Sequence, residues 1–378
     1  MTLMKIVCAP DSFKESVSAA EAAAAMAVGV VRACPNAVVD CCPVGDGGEG
    51  TGAVLIDALG GRIHTSQVTG PLAQPLRASW ALLDDGTAII EIAAAAGLHL
   101  VPVEQRDPLR TTTFGVGELI AQACAAGATR MVVCLGGSAT SDGGAGMAQA
   151  LGIRFRDAHG AEIKTPLTGG ALANIAHIDA GGRLPPLADL KITVACDVAN
   201  PLLGSDGAAR VFAAQKGASP SGVEHLEAGL AHLARIMERD LGINMATTPR
   251  AGAAGGLGAG LMAFTGATLV PGIELVLAAV DFDRRISDAD LCLTGEGCLD
   301  GQSLSGKACL GVAHAAARRG VPTIALVGAL GPGAADALAA GLADARIIGP
   351  GLDRAESIRR APQLLAEAAA RAVTPYVQ

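Results

Sequence analysis

Glycine in this chain gathers where short apolar runs stop and helical stretches begin, and that placement constrains the fold more tightly than any other feature. Near the N-terminus "KIVCAP" (Lys5–Pro10) reads as a buried strand closed by proline. Ser18 with Glu21 forms a capping-box pattern ahead of an alanine-rich helix that runs to about Cys34. Pro35-Asn36 breaks the helix, "VVDCCPV" is the second strand, and a glycine loop leads into a helix from about Thr51 to Leu59. The other end of the chain repeats the pattern. "ADLCLTG" is a strand, and Gly306 to Arg319 is a helix whose last turn carries Arg318 and Arg319 ahead of Gly320. "PTIALVG", a helix near Ala334 to Gly341, "ARIIGP" and a last helix from about Glu356 complete it. Such alternation implies a parallel sheet covered by helices on both faces. Aromatic residues make up only 2% of a chain that is 51% apolar, so alanine, valine, leucine and isoleucine must build the core. That core suits helices lying close against the sheet.

The middle of the chain reads differently. Between about Ile63 and Ile92 the sequence alternates over short strands, with turns at Gly70-Pro71 and Asp84-Asp85-Gly86, the pattern of antiparallel structure. A helix near Val116 to Ala126, the strand "RMVVCLGG" and a second glycine loop entering a helix follow. With 378 residues the chain exceeds one ordinary core, and two domains are expected.

Composition removes several classes of function. The formal charge is −8 with no block of Lys or Arg, which argues against nucleic acid or an anionic membrane as a standing partner. The ten cysteines include no C-x-x-C pair, and most sit singly in apolar runs, as reduced core residues do. The histidines lack zinc spacing. "MTLMKIVCAPD" meets an acid too early for a secretory signal. Residues 251–273 carry no charge but include seven glycines, so they do not read as a membrane span. The expected location is the cytoplasm. The expected partners are small molecules, with a homo-oligomer left open.

The glycine bends hold the chemistry. A strand that turns through glycines into a helix offers outward amides and a positive helix end to an anion. "LGGSATSDGGAG" (Leu135–Gly146) adds hydroxyls and a carboxylate to such a bend, more than a turn with a cap requires. Gly136, Gly137, Ser138, Thr140, Asp142 and Gly143 are its candidate phosphate- or nucleotide-binding residues. A local echo, "PVGDGGEGT", sets Asp46 and Glu49 at the mouth of a helix, either as complements to the helix dipole or as Mg²⁺ ligands, with Asp46 also a candidate base. "APDSFKES" places Asp11 and Lys14 at the carboxyl end of the first strand, the edge where open α/β sheets bind ligands.

"LTGEGCLDGQSLSGK" approaches a Walker A loop at Gly301 to Lys307. However, Ala308 stands where a hydroxyl is required and the strand ends too far upstream. A different phosphate or substrate loop, using Glu296, Asp300, Ser303 and Lys307, fits better. "VACDVANPLLG" puts Asp197 just past an apolar strand, as a second candidate base. No histidine lies in any of these loops. Acids, hydroxyls, lysines and backbone amides are what phosphoryl transfer asks for, since its loose transition state needs positioning and charge neutralisation.

These segments, together with "TTTFGVGELI", "QKGA" and "AGAAGGLGAG", resemble the bacterial glycerate kinase family that lacks a Walker A loop, over nearly the whole chain. The resemblance implies ATP, Mg²⁺ and D-glycerate. It also implies a Rossmann- or flavodoxin-like domain built from both chain ends (1–65 with 285–378) and an inserted α/β domain (66–284) with mixed or antiparallel strands. On this reading Asp46 or Asp197 orients or deprotonates the glycerate hydroxyl, and Lys14, Arg110 or Lys307 holds carboxylate or phosphate. Three positions depart from the family pattern: Ser141 replaces an expected Asn, Ala214 a usual Pro, and Cys298 the Arg of a "GEGR" segment. Two other readings stand beside this one. A nicotinamide-dependent oxidoreductase would need a placed G-x-G-x-x-G, and Gly258-x-Gly260 has no strand ahead of it. A non-catalytic ligand-binding relative would tolerate the loss of the Arg.

Overall fold

The structure, a computed structural model, describes residues 3–48, 50–305 and 307–377, without the side chains of Gln302 and Ser305. Its strands, in chain order, begin with β1 (Lys5–Pro10), β2 (Val38–Cys41), β3 (Arg62–Thr69), β4 (Pro75–Leu82) and β5 (Thr87–Glu91). They continue with β6 (Arg130–Cys134), β7 (Arg154–Arg156), β8 (His177–Asp179), β9 (Lys191–Ala195) and β10 (Thr268–Val270). The last are β11 (Leu291–Leu299), β12 (Thr323–Leu330) and β13 (Asp344–Ile347). The chain divides into two compact units, residues 1–59 with 271–378, and residues 60–270.

The first unit is a five-stranded sheet in the order β13-β12-β11-β1-β2, with every neighbouring pair parallel. Counted within the unit this is the 2-1-3-4-5 order of flavodoxin-like folds. Its central strands are buried on both sides. Ile324 and Leu326 of β12 pack with the helices Ala19–Ala33 and Ala361–Val373, while Ala325 and Val327 pack with the helix Ala308–Ala317. The period of two along a strand sends neighbours to opposite faces, so a strand covered twice reads as a continuous apolar run. Alanine and glycine let the covering helices come close. A Cβ on Gly29 would stand 2.0 Å from the Ala366 carbonyl oxygen, so no larger residue fits that crossing. The capping box expected at Ser18 and Glu21 is formed, and the helix behind it ends at Ala33.

The second unit contains a six-stranded sheet, β10-β9-β6-β5-β4-β3. β10, β9, β6 and β5 run parallel, and β4 and β3 close one side as an antiparallel pair, as the alternation between Ile63 and Ile92 foretold. A large core of aliphatic side chains, with Phe155 edge-on to Phe264, fills this unit. The charge-free stretch of residues 251–273 holds the helix Ala253–Thr265, then β10 and the start of the helix Gly272–Ala279. Among the described residues no helix is long and apolar enough to cross a membrane.

Two local expectations change. The strand read as "ADLCLTG" continues to Leu299, because its pairing with β12 persists through Cys298–Ala329 and Leu299–Leu330. Glu296 and Cys298 therefore sit on a strand rather than in a loop. The last helix is two helices, Arg354–Arg359 and Ala361–Val373, parted just ahead of Pro362.

Candidate active site

In open α/β sheets ligands bind beyond the carboxyl ends of the strands, where successive connections leave in opposite directions. In the first unit that point lies between β1 and β11. A cleft of about 620 Å³ opens there, lined among others by Asp11, Lys14, Asp46, Glu296, Asp300 and Lys307. Six of the residues expected from sequence thus share one cavity.

Each is placed by local structure. The Asp11 amide donates to the Gly295 carbonyl (2.9 Å), extending the β1–β11 ladder by one bond, and the Ser12 amide donates to Asp11 Oδ1 (2.6 Å). Phe13 is buried and bridges to Val17, which leaves Lys14 exposed on the short loop between them. Ser16 Oγ fastens that loop by donating to the Ile358 carbonyl (2.9 Å). Asp46 is buried and its Oδ1 accepts the Gly48 amide (2.9 Å). The Gly47 amide donates to Thr51 Oγ1 (3.0 Å), anchoring the bend to the following helix. The segment entering from residue 271 presses on this bend: a Cβ at Gly272 would stand 2.0 Å from the Asp46 carbonyl oxygen. Glu296 is buried, and Ser303 Oγ donates to its Oε1 (2.9 Å) while accepting the Asp300 amide (3.3 Å). Ser303 thus orients a carboxylate rather than facing solvent.

Carboxylates outweigh cations in this cleft, where Lys14, Lys307 and the exposed Arg354 stand among Asp11, Asp46, Glu296 and Asp300. Burial, reinforced by Asp46 and Glu296, holds the Asp11 carboxyl well above the usual carboxylate range, against the Ser12 amide and Lys14. Glu296 is pushed up to about 7, chiefly by burial and then by Asp46 and Asp300, with Ser303 and Lys307 opposing. Carboxylates that resist ionisation at close quarters mark a place that gains from a cation or a transferable proton. Hard oxygen donors suit Mg²⁺, which binds through one or two carboxylates together with substrate phosphates. Among the described residues no group of three or more His, Cys, Asp or Glu side chains could hold a metal unaided. Glu49, the other expected ligand, lies outside the described residues, as does Gly306. Cys298 lines the same cleft from β11 and is exposed, so an arginine there would reach the cavity.

The second unit holds the other set. The bend after β6 is fixed at several points: the Leu98 amide donates to the Gly137 carbonyl (2.7 Å) and the Ala139 amide to the Ala96 carbonyl (2.8 Å). The amides of Gly136, Gly137 and Ser138 meet no acceptor among the described residues, which leaves three successive donors available. Asp142 is otherwise occupied. It is fully buried and accepts from the Thr113 amide and hydroxyl (both 2.8 Å), the Gly144 amide (3.1 Å) and the Gly146 amide (3.2 Å). It therefore ties two loops together. Burial raises its pKa in spite of those bonds. The Gly143 amide is also engaged, donating to the Gly255 carbonyl (3.1 Å). Asp197 is half-buried rather than buried, and Arg110 is exposed.

Sequence reasoning passed over Lys216. It is 3% exposed, and its Nζ donates to the Thr140 carbonyl (2.6 Å) and to Ser138 Oγ (3.4 Å). Ser138 Oγ lies 3.0 Å from Thr140 Oγ1, so the lysine reaches the first hydroxyl of the bend directly and the second through it. Burial pulls its pKa down to about 7, against the pull of Asp142. Only "QKGA" marked it, as part of a likeness, since a single lysine between Gln215 and Gly217 carries no periodic signal of burial.

A family model described as "Glycerate kinase family" matches residues 6–377 of this chain. The chain belongs to the glycerate kinase family. Similar proteins include a glycerate kinase of Bacillus subtilis (strain 168), 51% identical over 328 residues, 86% of this chain and 85% of that one. A glycerate 2-kinase of Escherichia coli (strain K12) is 50% identical over 328 residues, 86% of each chain. The crystal structure of a candidate glycerate kinase 2 from Salmonella typhimurium LT2 superposes with a TM-score of 0.84 at 42% identity, covering 99% of this chain and 98% of that one. A glycerate kinase family member is a phosphotransferase acting on an alcohol, with ATP implied as the donor. That is the enzyme class expected from the loops.

Proposed function

We propose that this chain transfers the γ-phosphoryl group of ATP to the 2-hydroxyl of D-glycerate, giving 2-phosphoglycerate and ADP. The observation that carries the reading is the cleft at the switch point of the first sheet, where Asp11, Asp46 and Glu296 crowd negative charge beside Lys14 and Lys307. The choice of the 2-hydroxyl follows the Escherichia coli relative, named glycerate 2-kinase.

Glu296 is matched to the task of general base. A carboxylate whose pKa burial pushes up to about 7 is about half ionised at neutral pH, and its ionised form is basic enough to take a proton as the hydroxyl attacks. As the glycerate oxygen bonds to phosphorus, the bond to the bridging oxygen of ADP breaks and the hydroxyl proton passes to the carboxylate. Ser303 orients the Glu296 carboxylate by donating to its Oε1. Asp46, expected from sequence as a base or metal ligand, takes the second role: it would hold Mg²⁺ together with phosphate oxygens, and Glu49 is the further expected ligand. When bound, the ion neutralises charge on the phosphates. Lys14 and Lys307 take the glycerate carboxylate or the moving phosphoryl group, with Arg110 a third candidate. In the second unit the unoccupied amides of Gly136, Gly137 and Ser138, with Thr140, form a phosphate cradle that Asp142, Gly143 and Lys216 brace. Asp197 is kept as the alternative base. A reducing cytoplasm suits the ten free cysteines.

The test is purified protein with ATP, Mg²⁺ and D-glycerate, with products followed by phosphorus NMR. A new monoester resonance of 2-phosphoglycerate is expected; ATP consumption without any phosphoglycerate signal would sink the reading.

A further inference from the structure

A second cavity, of about 420 Å³, lies along the edge strand of the first sheet, and arginine dominates its charge. Arg346 enters from β13, and Arg360 and Arg371 from the ends of the helix Ala361–Val373. Arg360, Leu364, Glu367, Ala368 and Arg371 recur at helical spacing, so one face of that helix forms a wall. Buried Ile348 and Leu364 contribute apolar surface.

The three guanidinium groups are unequally satisfied. Arg346 is fixed, donating from Nε to Asp344 Oδ2 (2.6 Å) and from Nη1 to the Arg371 carbonyl (2.9 Å). Arg360 has only long contacts, to Gln363 Oε1 (3.4 Å) and Glu356 Oε1 (3.5 Å). The Arg371 guanidinium meets no acceptor among the described residues. The single carboxylate in the lining, Glu367, already accepts from Gln363 Nε2 (2.8 Å). Positive charge is thus concentrated and spare in a concave place, on a chain whose formal charge is −8.

We propose that this cavity is a second anion site that takes a small phosphorylated carboxylic acid and communicates with the active cleft. Guanidinium groups bind phosphate and carboxylate through paired donors, and the two spare ones, Arg360 and Arg371, with Arg346 held beside them, suit a ligand with more than one charge. The volume fits a small metabolite. The lining offers no aromatic ring on which a base could stack, which disfavours nucleotides. Communication has a physical route. Ile347, Ile348, Gly349, Pro350 and Leu352 line both this cavity and the active cleft, so a ligand drawing on one side of that bend moves a wall of the other.

Phosphoenolpyruvate is a suitable probe, since it has both anionic groups and no hydroxyl to phosphorylate. The full chain, saturated with ADP and D-glycerate to fill the active cleft, is titrated with it by calorimetry, beside R360A/R371A and the milder R371A, each checked for folding by thermal unfolding. Saturable binding is expected in the wild type, weakened about tenfold or more in the double variant. The KM for D-glycerate should change at least about twofold with the probe in the wild type only, through the shared bend. Absence of saturable heat, or equal binding by all three proteins, overturns the site. Binding with unchanged kinetics overturns the communication, and inorganic phosphate binding as tightly as the probe overturns the ligand class. Heat of binding needs no turnover, so failure of the kinase reading would show separately, as missing phosphoglycerate.

Discussion

The two units solve opposite electrostatic problems. The cleft of the first unit gathers carboxylates without enough counter-charge, so burial and mutual repulsion raise Asp11 and Glu296. The bend of the second unit gathers hydroxyls and amides over a buried lysine, which burial drives the other way. One site is short of positive charge and holds a proton near neutrality. The other offers hydrogen-bond donors with a buried lysine beneath them, half of its charge lost near neutral pH. Phosphoryl transfer to a hydroxyl calls both for a group that can take a proton and for donors that hold phosphate oxygens, and on the proposed reading each unit supplies one of these.

The largest test of this contrast compares the two aspartates. Asp46→Asn should lower kcat by about a hundredfold or more, while Asp197→Asn, in the donor-rich unit, should cost about tenfold at most. A larger loss from Asp197→Asn in steady-state assays would reverse the assignment of roles.

The buried lysine gives the next effect, on stability. Lys216 has a folded pKa of about 7 against an ordinary 10.5, so between these values the unfolded chain binds the extra proton and wild-type stability rises with pH. The cost of burying the charge is fully present below about 7. Lys216→Met should therefore be the more stable protein at pH 6, by an amount on the order of a few kcal/mol, and should lose the rise. Denaturant titrations at several pH values measure this. An unchanged slope would mean that Lys216 is not the titrating group.

Restoring the missing guanidinium sharpens the picture of the acid cleft. Cys298→Arg puts a cation among Glu296, Asp300 and the substrate anions, and should lower the KM for D-glycerate by about threefold to tenfold. The smallest effect concerns Ser141, whose Oγ is buried with no partner among the described residues. Ser141→Ala should leave thermal stability unchanged or raise it by about 1 kcal/mol. A clear loss would reveal a bond that the hydroxyl makes.

Much of this was legible in the sequence because it rests on local rules. The capping box at Ser18, the glycine bends and the alternation at both ends carried the parallel sheet, and the strand-end rule carried Asp11 and Lys14 to the cleft. What escaped depends on contacts distant in sequence. Glu296 read as a loop residue because glycines flank it, yet pairing with β12 keeps it on a strand. Asp142 read as a phosphate ligand because nothing in its neighbourhood shows that Thr113 takes its oxygens. Lys216 was invisible as a site residue for the same reason: its burial is set by a loop 76 positions away.

The most direct test of the acid cleft as the catalytic one is the pH dependence of kcat for D-glycerate phosphorylation in the wild type and in Glu296→Gln. The wild type should lose rate as pH falls through about 7, where Glu296 takes up a proton, and the variant should be slow and free of that limb. A Glu296→Gln enzyme with the wild-type rate and the wild-type profile would contradict the account.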